Sequence, residues 1–150
     1  MGRIKHIAIT AEDPFVTAEL FKKALGLEEL SRGDSDVARE VYLTDGYINL
    51  AIVCWKRTKE NPNPYPEGYG LDHFGLLVDD LADAEARVKE AGATPQPPPK
   101  VDLSTLGARI FFEKKYTLAG VKFDLASHGW ATSQEEQRAH ERKSEKGAGR

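Results

Sequence analysis

The sequence predicts an α+β fold in which two tandem βαβββ modules carry curved mixed sheets that enclose a cavity. The first observation behind this prediction is internal repetition, because His6 aligns with His73 and Asp13 with Asp80 at one offset of 67 residues. The second is that each half reads as a strand, then a helix, then further strands. Curved sheets from the two halves would turn their matching faces inward.

Both predicted helices carry the same start and stop signals. Asp13 precedes Pro14, and Asp80 precedes Leu81. An aspartate at this position accepts hydrogen bonds from the free amides of the first turn, and proline loses no bond at the first helical position. A glycine follows each helix, as expected where the chain needs a positive φ. Apolar residues recur at helical spacing, namely Phe15, Ala18, Phe21, Ala24 and Leu25, and then Leu81, Ala84, Val88 and Ala91.

Short strands account for most of the remaining chain. They are predicted over residues 3–10, 27–31, 38–43 and 47–55, and then over 71–78, 109–114 and 121–127. Turns are predicted at residues 44–46 and 119–120, and the proline-rich stretch 95–99 is predicted to be a loop.

One domain is therefore expected over residues 1–130, with module one at 3–55, a linker at 56–70 and module two at 71–128. The linker contains several prolines and glycines, which forbid a regular element. Residues 131–150 form a polar tail that is nearly free of apolar side chains, so it is expected to be either a solvated helix or disordered.

Composition restricts the classes of partner. Of the 150 residues 40% are hydrophobic and 30% charged, which is typical of an ordinary globular protein. A net charge of −3 provides no general attraction to nucleic acid or to anionic membranes, so neither is expected as a partner. Cys54 is the single cysteine and no targeting segment is visible, so a cytoplasmic location is expected.

Four predicted strands share a pattern in which a polar residue is followed, on its own face, by a small residue. The pairs are His6 with Ala8, Asn49 with Ala51, His73 with Gly75, and Asp124 with Ala126. The small residues would leave open spots beside the polar groups. Two imidazoles and one carboxylate are a donor set that suits a first-row divalent metal and leaves positions for a substrate, and an amide could add a neutral oxygen.

Other interpretations of these residues stay open. A strand histidine is often a hydrogen-bonded core residue, and Asn49 could bridge strands instead of binding a metal. Asp124 lies among apolar neighbours, so it needs a cation or strong donors. The weak candidates for a catalytic residue are Glu113, Tyr116 and His128, which lie in or beside the last two strands. Each of these three also has a structural interpretation.

The pattern resembles the vicinal-oxygen-chelate (VOC) superfamily, which includes glyoxalase I, methylmalonyl-CoA epimerase, extradiol dioxygenases, and bleomycin- and fosfomycin-resistance proteins. The resemblance covers residues 3–128 and is carried by Ile4-Lys5-His6-Ile7-Ala8-Ile9, Ala24-Leu25-Gly26-Leu27, Leu71-Asp72-His73-Phe74-Gly75, Val78-Asp79-Asp80-Leu81, and Gly120 with Asp124-Leu125. In that superfamily the metal ligands come from the first and last strand of each module. The resemblance therefore implies a glyoxalase-like fold and a metal site formed by His6, Asn49, His73 and Asp124.

The resemblance implies a metal-dependent enzyme that binds adjacent oxygens of a small oxygenated metabolite, as a lyase, an epimerase or a dioxygenase. The metal would be Fe, Mn, Co, Ni or Zn. Two departures leave the reaction open, because the superfamily usually has Glu where Asp124 and Asn49 stand. The neutral Asn49 is similar to the epimerase pattern, whereas two histidines with one acid are similar to the dioxygenase triad. The alternative is a metal-free small-molecule binding or resistance protein.

Curved open sheets have exposed edges, and closed dimers are the usual way to cover them. We therefore expect a homodimer. Light scattering at about tens of micromolar, the scale of ordinary interface affinities, should report twice the chain mass. A monomer at that concentration would contradict the expectation.

Overall fold

The computed structural model describes residues 2–65, 68–97 and 113–147, with side chains described as far as residue 142. Eight strands and three helices follow one another along these ranges. They are β1 (Arg3–Thr10), α1 (Pro14–Leu25), β2 (Glu28–Asp34), β3 (Ala38–Thr44), β4 (Asn49–Trp55), β5 (Leu71–Leu77), α2 (Leu81–Glu90), β6 (Thr94–Pro95), β7 (Lys114–Leu118), β8 (Val121–Ala126) and α3 (Gln134–Gly147).

All eight strands belong to one curved, open sheet with the order β2-β3-β4-β1-β5-β8-β7-β6. Within each module the first and last strands are parallel, β1 with β4 and β5 with β8. The two modules meet where β1 pairs with β5 in antiparallel fashion. The predicted α+β fold of two βαβββ modules is therefore confirmed, and His6 and His73 occupy equivalent strands at the centre of the sheet.

The helix starts form as the sequence predicted. The Asp13 carboxylate accepts hydrogen bonds from the amides of Phe15 at 2.9 Å and Val16 at 3.2 Å. Asp80 accepts from the amide of Asp83 at 3.0 Å. These bonds satisfy donors that the first helical turn leaves without partners. Helix α1 ends at Gly26, whose φ of 69° lies in the left-handed region that glycine tolerates best.

Helices α1 and α2 each pack on one face of the sheet and leave its opposite face uncovered by a helix of the same module. The core under α1 contains Ala18, Val41, Leu43 and Ile52, and the core under α2 contains Val78, Ala84, Ala93, Tyr116, Phe123 and Leu125. A separate cluster on the opposite face of module one contains Ala8, Ala38, Ala51 and Val53. Because side chains alternate along a strand, His6 shares that opposite face with Ala8. We call it the concave face.

One local expectation differs from the structure, and another lies mostly outside the described residues. Pro95, placed in a loop by the sequence, pairs with Tyr116 in the two-residue strand β6. A proline is tolerated there because β6 is an edge strand, where a missing N–H breaks no ladder bond. The strand predicted over 109–114 lies outside the described residues except at its end, and β7 runs from Lys114 to Leu118. The predicted turn follows it, with φ values of 50° at Ala119 and 79° at Gly120.

The polar tail was expected to be either a helix or disordered, and the structure shows a helix. Helix α3 contacts β2, and the Gln134 side-chain amide donates to the carbonyl of Glu29. Gln137 is buried against the domain. The start of the tail is thus attached to module one. No helix in the described part of the chain is long and apolar enough to cross a membrane.

Candidate functional site

The four predicted ligand residues lie on the concave face, but at two different levels of the sheet. His6 pairs with Asn49 on β4 and with Gly75 on β5. Asp124 also pairs with Gly75, from the other side. Asn49 is therefore level with the histidine of its module, whereas Asp124 is two residues beyond His73. Asn49 and Asp124 thus lie on equivalent strands of the two modules, but at positions that are not equivalent.

Asn49 holds the imidazole of His6. Its Oδ1 lies 2.8 Å from His6 Nδ1, and its Nδ2 donates to the carbonyl of Ala131 at 2.9 Å. Because the amide nitrogen is committed to that carbonyl, Oδ1 must be the atom that accepts from His6. We assign the proton of His6 to Nδ1 on this network, which leaves the lone pair on Nε2.

Asp72 holds His73 in the same way. Its Oδ2 lies 2.7 Å from His73 Nδ1, so the imidazole donates from that nitrogen. Burial opposes ionisation of Asp72, but the hydrogen bond with His73 and the nearby Lys122 outweigh it and lower the pKa of the carboxyl group. Nε2 of His73 faces Oδ2 of Asp124 at 3.3 Å. An imidazole anchored at one nitrogen, with the other available, is the usual state of a metal-binding histidine.

Lys115 supplies the cation that the sequence analysis required near Asp124. The Asp124 side chain is 1% exposed, and its Oδ2 accepts a hydrogen bond from Lys115 Nζ at 2.6 Å. Burial raises the pKa of Asp124, against the opposing effect of the Lys115 charge. Lys115 also donates to Glu113 Oε2 at 3.0 Å. Sequence analysis overlooked Lys115, although strand alternation puts it on one face with Glu113.

Trp130 fills one of the spots that the sequence analysis took as open. Its indole stacks on His6 with ring centroids 5.3 Å apart and planes 4° apart, and its Nε1 donates to Glu113 Oε1 at 2.8 Å. A Cβ atom at Gly75 would lie 2.6 Å from two carbons of this indole and 2.9 Å from His6 Cβ. The glycine is therefore required by the close approach of Trp130.

His6 is neutral at pH 7. Burial, assisted by His73, lowers its pKa to about 4, and the opposing effects of Glu113 and Asn49 are smaller. A neutral imidazole with a free Nε2 lone pair is the form that binds metals. The ring centroids of His6 and His73 are 5.2 Å apart.

Residues 3–118 match the model of the Glyoxalase/Bleomycin resistance protein/Dioxygenase superfamily. The chain belongs to this superfamily. The resemblance drawn from the sequence is thus confirmed. None of the curated proteins matches the chain.

Solved structures show the same fold at low sequence identity. A hypothetical protein, BH1468 from Bacillus halodurans, is 17% identical with a TM-score of 0.65, over 88% of this chain and 98% of that one. A methylmalonyl-CoA epimerase from Streptomyces coelicolor, in complex with 2-nitronate-propionyl-CoA, is 19% identical with a TM-score of 0.61, over 82% and 94%. The epimerase from Mycobacterium tuberculosis is 16% identical with a TM-score of 0.59, over 82% and 85%. Identities this low establish the fold alone.

The three weak catalytic candidates occupy different places. Glu113 lies on the concave face, between Lys115 and Trp130. Tyr116 lies on the other face, in the core under α2, where its hydroxyl donates to Glu85 and burial raises its pKa to about 12. His128 is exposed in the turn after β8. The structure brings only Glu113 of these three to the predicted ligands.

Glu40 is a further acid on the concave face that the sequence analysis missed. It lies on β3 two residues from Ala38, which packs in the concave cluster, so both side chains leave the strand on the same side. Its Oε2 accepts a hydrogen bond from the Tyr42 hydroxyl at 3.0 Å. Alternation along β3 carries the signal for this residue, because Glu40 follows Ala38 by two positions.

The donor set fits a divalent metal, although it is not fully assembled. Within residues 2–65, 68–97 and 113–147, no three His, Cys, Asp or Glu side chains converge closely enough to hold an ion. Two ligand atoms on one metal, each at about 2.1 Å, are roughly 3.0–3.4 Å apart. His73 and Asp124 already meet that spacing at 3.3 Å. The Lys115 ammonium contacts that same oxygen of Asp124 at 2.6 Å.

Replacing Gly75 with alanine should displace Trp130 from its position over His6. We expect Gly75→Ala to lower the free energy of unfolding by about 1–3 kcal/mol, because the added methyl overlaps the indole. It should also shift the emission of Trp130, measured in a Trp55→Phe background so that a single tryptophan fluoresces. Gly33→Ala is the control, since a Cβ there would meet Glu40 at 3.6 Å. Equal stability and equal spectra for the two variants would contradict this account.

The depressed pKa of His6 predicts a loss of stability in mild acid. The unfolded chain takes up this proton near pH 6.5, whereas the folded chain does so only near pH 4. Proton uptake therefore favours unfolding as the pH falls, and His6 should remove about 2 kcal/mol of stability between pH 7 and pH 5. Urea unfolding with a chelator at both pH values, for wild type and His6→Gln, measures it. The variant should lose about 2 kcal/mol less, and an equal loss would be inconsistent with a neutral His6.

Proposed function

We propose that this protein is a metal-dependent enzyme that binds a small oxygenated metabolite through adjacent oxygens, with His6, His73 and Asp124 as the metal ligands. The observation that carries the proposal is the matched anchoring of the two imidazoles. Each is held at Nδ1, by Asn49 at 2.8 Å and by Asp72 at 2.7 Å, so that each keeps Nε2 for a ligand. Divalent metals are also typical of the superfamily.

Each residue then has a separate role. His6 and His73 supply neutral nitrogen donors, and Asp124 supplies the negative charge. Asn49 orients His6 and fixes its tautomer, because its Oδ1 is already engaged by that ring. When bound, a divalent metal polarises substrate oxygens and stabilises the negative charge that develops on them.

A proton acceptor is the second requirement of an epimerase or a glyoxalase. Burial raises the pKa of Glu113, but the charge and hydrogen bond of Lys115 outweigh this effect. The pKa of Glu113 is therefore lowered, which makes this carboxylate a weak base. We propose Glu40 as the acceptor instead, since it is another acid on the concave face, where the hydrogen bond from the Tyr42 hydroxyl holds its carboxylate in position. This assignment favours proton transfer beside a carbonyl, in an isomerase or lyase. Methylmalonyl-CoA is the first substrate to try, because an epimerase acting on it shares this fold.

The second candidate function is metal-free binding of a small molecule. The observation that favours it is the Lys115 ammonium, which neutralises Asp124 at 2.6 Å without any metal. In that case the two histidines would be hydrogen-bonding groups of the binding site. Metal content separates the two functions directly.

We further propose that the protein acts as a homodimer in the cytoplasm. The proposed dimer is supported by large apolar side chains that a single chain leaves exposed. On α1 these are Val16, Leu20 and Leu25, which are 57%, 59% and 65% exposed. An unpaired cysteine agrees with a reducing compartment.

Metal analysis of protein purified without chelator tests the proposed function. We expect the wild type to bind about one equivalent of Mn, Fe, Co, Ni or Zn per chain. His73→Ala and Asp124→Ala should each lose most of this metal while circular dichroism shows an intact fold. Asn49→Ala should weaken binding by about 10–100-fold, because it frees the ring that it orients.

The matched control is Asp34→Ala, which removes an exposed carboxylate paired with Lys56. It should retain the full metal content. A wild type without stoichiometric metal would support metal-free binding instead. Retention of metal by both His73→Ala and Asp124→Ala would show that the ligands are other residues.

A further inference from the structure

We infer that Lys115 is a resident counter-cation that occupies Asp124 in the metal-free protein and must give up that carboxylate when a metal binds. Lys115 therefore sets the metal affinity of the site. The inference rests on the proposed function, because it concerns the same carboxylate. It adds an antagonist to the ligand set, and the superfamily assignment does not imply one.

The placement of Lys115 makes it a competitor for Asp124. It lies directly opposite Asp124 in the antiparallel pairing of β7 with β8, so both side chains leave the sheet on the concave face. The ammonium contacts Oδ2, which is also the oxygen that faces Nε2 of His73 at 3.3 Å. The cation and the proposed metal therefore compete for one oxygen atom.

The charge balance around Asp124 also supports this role of Lys115. This carboxylate is 1% exposed, and a buried carboxylate without a cation destabilises the folded chain strongly. Of the groups around Asp124, Glu113 is a second carboxylate, and the His73 imidazole, whose Nε2 lies 3.3 Å from Oδ2, is already hydrogen-bonded to Asp72 at its other nitrogen. Lys122 is committed elsewhere, with Nζ 3.7 Å from Asp72. The ammonium thus allows the chain to fold before any metal arrives.

Lys115 also contacts a second carboxylate. Glu113 Oε2 accepts from the same ammonium at 3.0 Å, and the other oxygen of Glu113 is held by Trp130 Nε1 at 2.8 Å. The Lys115 side chain is 29% exposed, and its flexible stem leaves it room to shift. When a metal takes Asp124, the ammonium can stay on Glu113, which Trp130 keeps in place.

Lys115→Met tests the inference, with Mn²⁺ as the probe. Isothermal titration should show Mn²⁺ affinity rising at least about tenfold over wild type, because the competing charge is gone. In a chelator the variant should unfold at lower urea concentration than wild type, and saturating Mn²⁺ should reverse this difference. Lys115→Gln, which can still donate to Asp124, should show the same gain in affinity. Lys114→Met is the control, since it removes the neighbouring charge from an exposed position.

The outcomes separate this inference from the proposed function. Equal Mn²⁺ affinity in wild type, Lys115→Met and Lys115→Gln would overturn the inference while the proposed function stands. Binding by the variants but not by wild type would support the inference and refute the proposed function. Absence of binding in all of them would refute both. A Lys115→Met protein that does not fold even in saturating Mn²⁺ would also overturn the inference, because the metal should replace the ammonium.

Discussion

A carboxylate buried within a sheet has to be matched by positive charge, and much of the site follows from how Asp124 meets that demand. Its neighbours form one chain of contacts, in which Lys115 holds Asp124, Glu113 holds Lys115, and Trp130 holds Glu113. Trp130 in turn stacks on His6. These contacts run from Asp124 in module two to His6 in module one, through Trp130 in the segment after β8.

The junction between β1 and β5 places these groups within reach of one another. It joins the two modules into a single sheet and puts His6 opposite Gly75. Because glycine has no side chain, the Trp130 indole can lie against the strand there and cover the His6 ring. The indole covers the His6 ring, and burial is the main cause of the lowered pKa of this imidazole. The contact of Trp130 with His6 and Gly75 therefore affects both the packing at this junction and the protonation of His6.

The polar tail belongs to the same arrangement. Ala131 accepts from the Asn49 amide and Thr132 accepts from the Thr44 hydroxyl, so the chain after Trp130 is tied to module one. The bond to Ala131 orients the Asn49 amide and thereby the proton on His6. A segment that sequence composition describes as a solvated tail therefore begins as a support for the proposed ligand set.

Sequence alone determined the repeat, the helix ends and the shared face of His6, Asn49, His73 and Asp124, because these depend on local signals. Asp13 and Asp80 cap helices through bonds within one turn, and alternation decides which face Asp124 shares. Only the tertiary structure decided which side chains contact these residues. The register of β7 on β8 brings Lys115 to Asp124, and the turn after β8 brings Trp130 to Gly75. Such contacts depend on how distant strands align, and a small residue in a sequence does not reveal which group fills the space beside it.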